Sequence, residues 1–141
     1  MPFSSAPPTL LYENPAGRLL ADSKGFLRVE WLPGSHDQVA VQQLLEQELG
    51  ILQKTGWGRV LSKLEHLGPQ APETIDWTLH NWLPRAAGSC SYRWGALLVA
   101  GNEQAVAASR AVLEKAGSQY RIQFQFFSCE LSAEQWLLAQ Y

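Results

Sequence analysis

The sequence predicts an α/β domain: a mixed β-sheet, antiparallel among its N-terminal strands and parallel through the βαβα units that follow, with helices flanking it. Three observations lead there. Residues 10–31 hold three short apolar runs separated by Asn14-Pro15-Ala16-Gly17 and Asp22-Ser23-Lys24-Gly25, turn chemistry that joins strands as hairpins. From Ser35 onward, segments with apolar residues at three- and four-residue spacing alternate with short apolar runs. Finally, 141 residues that are 46% hydrophobic and 17% charged suit one well-filled core, too small for two.

Taken in order, residues 1–9 carry Pro2, Pro7 and Pro8 and read as a flexible lead-in, and residues 10–141 as the single domain. The first strand starts at Leu10, the second spans 18–21, and the third spans 26–31, alternating Phe26, Arg28 and Glu30 with Leu27, Val29 and Trp31. Ser35 is the expected cap of a first helix whose inner face is Val41, Leu44, Leu45, Leu49 and Leu52, stopping near Thr55-Gly56. A strand follows over 59–64. A helix then begins near Pro72 or Glu73, with Ile75, Leu79, Trp82, Leu83 and Ala86 facing inward, and Pro84 is expected to end or kink it. The central strand is 94–100. An Ala-rich helix over 103–115, stopped by Gly117, a strand over 122–127, and a last helix capped by Ser132 and holding Trp136 and Leu137 complete the chain.

Composition removes several function classes. The net charge is −2 and Lys and Arg form no block, so the clustered basic face that nucleic acid or an anionic membrane requires is missing. No stretch approaches the length of apolar sequence that spans a bilayer, and the N-terminus lacks the basic and apolar regions of a signal peptide, so the expected location is the cytoplasm. Cys90 and Cys129 match no metal or redox spacing and are expected to be buried and reduced. His36, His66 and His80 lack the spacing that sets two metal ligands side by side, and no cofactor is implied.

The segment from Trp77 to Arg85 reads W-x4-W-x-P-R. With the inferred element order, with Leu67-Gly68 ahead of the helix and with the ending over 133–137, residues 10–138 resemble the STAS/SEC14-like (SpoIIAA-like) family of small bacterial proteins. The resemblance implies a sheet flanked by helices and action by binding, since relatives in the wider STAS group bind partners, nucleotides or apolar ligands. Two departures limit what carries over. Lys63 and Glu65 reverse the order of charges that relatives place before Leu-Gly. Where the anti-anti-sigma branch has a phosphorylatable Ser in an Asp-Ser context, this chain has Ala71-Pro72-Glu73-Thr74, so the phospho-switch is not carried over.

Candidate chemistry is sparse. Gly88-Ser89-Cys90-Ser91 precedes a strand, whereas a nucleophile elbow follows one. Gly56-Trp57-Gly58 has Leu61 where a dinucleotide fingerprint needs its third glycine, and reads as a turn. Trp77, Asn81 and Arg85, four residues apart, share one helical stripe on which an aromatic plate, an amide and a guanidinium could receive an anion or a carboxylate; alternatively Trp77 packs half-buried and Arg85 caps the helix end. Of six tryptophans, Trp82, Trp94 and Trp136 fall on core faces, while Trp31, Trp57 and Trp77 are the interface candidates. A ligand at the carboxyl edge of the parallel strands would meet His66 and Asn102. The expectation is a non-catalytic module that associates with a protein partner or with itself as a homodimer; the alternative is a domain that binds a small apolar or anionic ligand.

Overall fold

The computed structural model describes residues 6–140, apart from the side chains of residues 105, 108 and 109. Of the expected lead-in, residues 1–5 lie outside that range, and the first strand already begins at Thr9. The strands are β1 (Thr9–Asn14), β2 (Gly17–Asp22), β3 (Phe26–Trp31), β4 (Arg59–Lys63), β5 (Trp94–Leu98) and β6 (Gln123–Phe127). They form one mixed sheet whose spatial order is their sequence order. The hairpins make β1–β2 and β2–β3 antiparallel, and the crossovers make β3–β4, β4–β5 and β5–β6 parallel. The expected fold class is the observed one.

When parallel strands follow one another across a sheet, right-handed crossovers place every connecting helix on the same face. That face carries α1 (Gln38–Thr55), the broken helix α2 (Pro72–Trp77) and α3 (Leu83–Ser89), and α4 (Glu103–Tyr120). Among the described residues only α5 (Glu130–Leu138), which follows the last strand, lies on the other. Strand alternation feeds both layers. Leu27 and Val29 pack with Leu44, Leu45 and Leu52 of α1, whereas Phe26, the residue before Leu27 and on the opposite face of the pleat, packs with Ala133 and Leu137 of α5. No helix among the described residues is long and apolar enough to cross a membrane.

Local chemistry corrects several expected boundaries. Asp37, not Ser35, caps α1, its carboxylate accepting from the Val39 and Ala40 N–H groups at 3.1 and 3.4 Å. Ser35 instead donates its hydroxyl to the Pro69 carbonyl, beside the parallel bridge Gly34–Leu67. The α1 terminus is as expected: Gly56 takes φ 73° and its N–H returns to Leu52. Gly117 does not stop α4. A Cβ there would lie 2.5 Å from the Ile122 carbonyl and 2.8 Å from the Phe124 ring, so the glycine serves close packing, and the helix ends three residues later at Tyr120. Cys129, not Ser132, occupies the cap position of α5, and it is exposed, contrary to expectation; Cys90 is half-buried, and both thiols are free.

Pro84 does not end its helix, but it interrupts the regular α-helical turns. Proline lacks the N–H that would reach the carbonyl four residues back, and its ring crowds that carbonyl. The chain responds one turn earlier, with a π turn over Thr78–Trp82 in which the Leu83 N–H reaches Thr78, five residues back. The inserted turn rotates what precedes it, so Ile75, expected inward, is 41% exposed, while Trp82 and Leu83 stay buried.

Candidate functional site

The expected stripe assembles, and it finds its carboxylate within the chain. The leucine face of α1 turns Gln42, Gln43, Glu46 and Gln47 outward, and the α2–α3 segment runs alongside, tied down by the Trp82 indole N–H on the Leu45 carbonyl at 2.7 Å. Arg85 then meets Glu46 fork to fork, Nη1 to Oε1 and Nη2 to Oε2, both at 2.8 Å. Asn81 Oδ1 accepts from Arg85 Nη2 at 2.8 Å, and the guanidinium carbon lies 5.9 Å from the Trp77 ring centre. The Arg85 hydrogen bonds hold the Glu46 carboxyl below its ordinary value, outweighing slight burial. The notion that Arg85 waits for an incoming anion is therefore corrected: Glu46 already fills that role. Replacing Arg85 with Met, at a pair this exposed, should cost about 0.5–1 kcal/mol and let the Glu46 pKa rise toward its ordinary range, read by NMR titration of the side-chain carboxyl.

Around this pair lies an open depression of about 680 Å³ over the outer surface of α1, bordered by Tyr12 of β1 on one flank and by Trp77, Asn81 and Arg85 on the other. Tyr12, Gln43, Glu46 and Gln47 carry no sequence signal beyond lying on the polar side of an amphipathic helix or at a strand end.

The remaining expected residues are placed elsewhere. Asn102, at the start of α4, donates its amide to the Leu64 and Leu67 carbonyls at 2.6 and 3.1 Å, clipping the loop after β4 to the end of β5. His66 in that loop is exposed, and its backbone carbonyl accepts from Gly34. Trp57, between α1 and β4, packs half-buried against the main core and does not border the depression. Thr74, at the position compared with the phosphorylatable Ser, is 2% exposed.

Two further charged groupings went unread in the sequence. On the α5 face, buried Arg28 holds three carboxylates: Asp22 at 2.8 Å, Glu130 at 2.9 Å and Glu134 at 2.5 Å. Lys24 reaches Glu134 and Lys63 reaches Glu130, extending the network. Beneath α1, Glu48 is 3% exposed among leucines, and burial lifts its carboxyl from 4.5 to about 8. Burial, and then the charge of Glu48, also raise the Cys90 thiol and the Tyr92 phenol, so three acids of one neighbourhood resist ionisation together. At the α5 start, Cys129 goes the other way, its thiol lowered by the Ser132 N–H, the Ser132 hydroxyl and the Leu131 N–H.

Among the described residues no three His, Cys, Asp or Glu side chains form a group that could hold a metal ion. Compared with protein-family models and with curated proteins, the chain matches none.

Proposed function

We propose that this protein is a non-catalytic, STAS-like module that works by protein–protein association, presenting the outer surface of α1 between Tyr12 and Trp77. The observation that carries the reading is the internal pairing of Arg85 with Glu46 at the centre of that surface. The pair cancels its own charge and leaves amides and two aromatic side chains facing outward, a composition that suits a protein interface, where aromatics and Arg are enriched and uncompensated charge is not. Shape argues the same way. A small ligand is normally enclosed over most of its surface, and a depression this open does not enclose one.

Trp77→Ala removes the largest aromatic face of the site, and because Trp77 is only half-buried the variant should keep its fold by circular dichroism. With each form used as bait in its source cells, the wild type should retain a stoichiometric protein partner that the variant binds at least about tenfold more weakly, as for an interfacial hot spot. Equal retention by both forms refutes the surface. A defined small mass carried by the native protein in native mass spectrometry would instead establish the ligand-binding alternative.

A further inference from the structure

Among the described residues every strand but the first and last is paired on both sides, and β1 pairs with β2 alone. Such an edge presents unpaired backbone N–H and C=O groups that another strand can complete. Edges are commonly blunted by Lys or Pro on the strand or by a bulge; of these β1, Thr-Leu-Leu-Tyr-Glu-Asn, carries a bulge-like irregularity but neither Lys nor Pro. It has a register shift between Leu10 and Tyr12, and it leaves Leu10 and Leu11 48% and 45% exposed.

What adjoins this edge selects the occupant. Asn14 at the end of β1 donates its amide to the Ala40 carbonyl at 2.8 Å, which sets the α1 flank running through Ala40, Gln43, Gln47 and Ile51 beside the strand. That flank is uncharged for three turns. Charge appears only at its two ends, with exposed Asp37 capping the N-terminus and exposed Lys54 in the last turn. We infer that β1 is a self-association edge: a second copy of the chain adds its own β1 antiparallel, making one continuous sheet across the dimer and laying the two α1 helices side by side.

The charge pattern favours a second copy over an unrelated strand. Antiparallel pairing of β1 with β1 turns α1 antiparallel to its counterpart, which brings each copy's Lys54 toward the other's Asp37 and sets amides against amides between them. Pairing centred near Leu11 also keeps the two Glu13 carboxylates at opposite ends of the junction. An unrelated strand would gain the backbone ladder without these matched ends. The inference rests on the association reading and assigns the Tyr12, Gln43 and Gln47 side of that surface to the second copy, leaving Trp77, on the other flank of α1, to a different partner.

The test is subunit count by native mass spectrometry and sedimentation on the full chain. Wild type should be a dimer, Leu11→Lys a monomer with unchanged circular dichroism, and Lys54→Glu a dimer weakened about tenfold or more. Lys54 is exposed at a helix end, so that variant folds even if the strand substitution does not. Trp77→Ala should remain dimeric. A monomeric wild type overturns the inference while leaving the Trp77 partner test standing. A dimer indifferent to both Leu11→Lys and Lys54→Glu, or one dissociated by Trp77→Ala alone, also overturns it.

Discussion

Between about pH 4.5 and about pH 8 the folded chain should lose stability with each step of rising pH, on the order of 5 kcal/mol across the interval, because of one carboxyl, Glu48. Its folded pKa lies above its unfolded one. In that window the folded state keeps a proton that the unfolded state has released, so raising pH favours unfolding until the carboxyl ionises in both states. Glu48 sits on the inner face of α1 between Leu44, Leu45, Leu49 and Leu52, at 3% exposure, and burial is the influence that sets its titration. Tyr92 and Cys90 offer no relief, since an ionised Glu48 raises both of their pKa values in turn. Glu48→Gln removes the titrating group, so its urea midpoint, followed by tryptophan fluorescence, should be flat where the wild-type midpoint falls. Glu48→Met, apolar and similar in volume, should exceed the wild type at neutral pH by about 1–3 kcal/mol. Parallel pH curves for wild type and Glu48→Gln would show that the carboxyl is not the source.

That residue also shows how the sequence was and was not legible. The element order and the mixed sheet follow from turn residues and from the 41-44-45-49-52 spacing, which are local signals that the structure obeys. Glu48 falls in the same stripe, four residues from Leu44 and Leu52, and the spacing alone places it inward; a pattern drawn from apolar residues passes over it. Arg28 was hidden by a different assumption. The alternation in β3 implies one polar and one apolar face, but α5 returns to cover the face opposite the crossover helices, so both faces of this central strand are buried. The Trp77–Asn81–Arg85 stripe was readable because spacing defines it, whereas Glu46 was not, because its meeting with Arg85 depends on how two helices lie together. Pro84 was legible in part: the sequence placed an end or a kink there, and the structure keeps the helix going by a π turn one step earlier, which the i→i−4 rule for proline does not anticipate.

Removing Arg28 should be the most damaging single substitution on the α5 face. Its guanidinium is 7% exposed and supplies the positive charge between Asp22, at 6%, Glu134, at 17%, and Glu130, at 41%. Arg28→Met would leave Asp22 buried without its guanidinium and Glu134 with only the Lys24 contact, a loss of about 3–5 kcal/mol. Glu130 is open enough to water, and close enough to Lys63, to tolerate the change. Asp22 also predicts a direction in pH. Burial alone would raise its carboxyl, but the Arg28 hydrogen bond, the Lys24 N–H and the two cations together hold it below its ordinary 3.8. A depressed folded pKa stabilises the fold above the unfolded value, and that contribution disappears as pH falls through the folded one. In Arg28→Met the Arg28 share of that lowering is gone and the Asp22 carboxyl shifts upward, so the deficit relative to wild type should be largest near neutral pH and shrink as acid protonates Asp22. Adding Asp22→Asn and Glu134→Gln to Arg28→Met should recover much of the loss, because the damage lies in stranded carboxylates and not in missing contact area. If instead the triple variant is as unstable as Arg28→Met alone, the packing of the arginine stem against the Phe26 ring, 5.3 Å from the guanidinium carbon, carries the stability of this face.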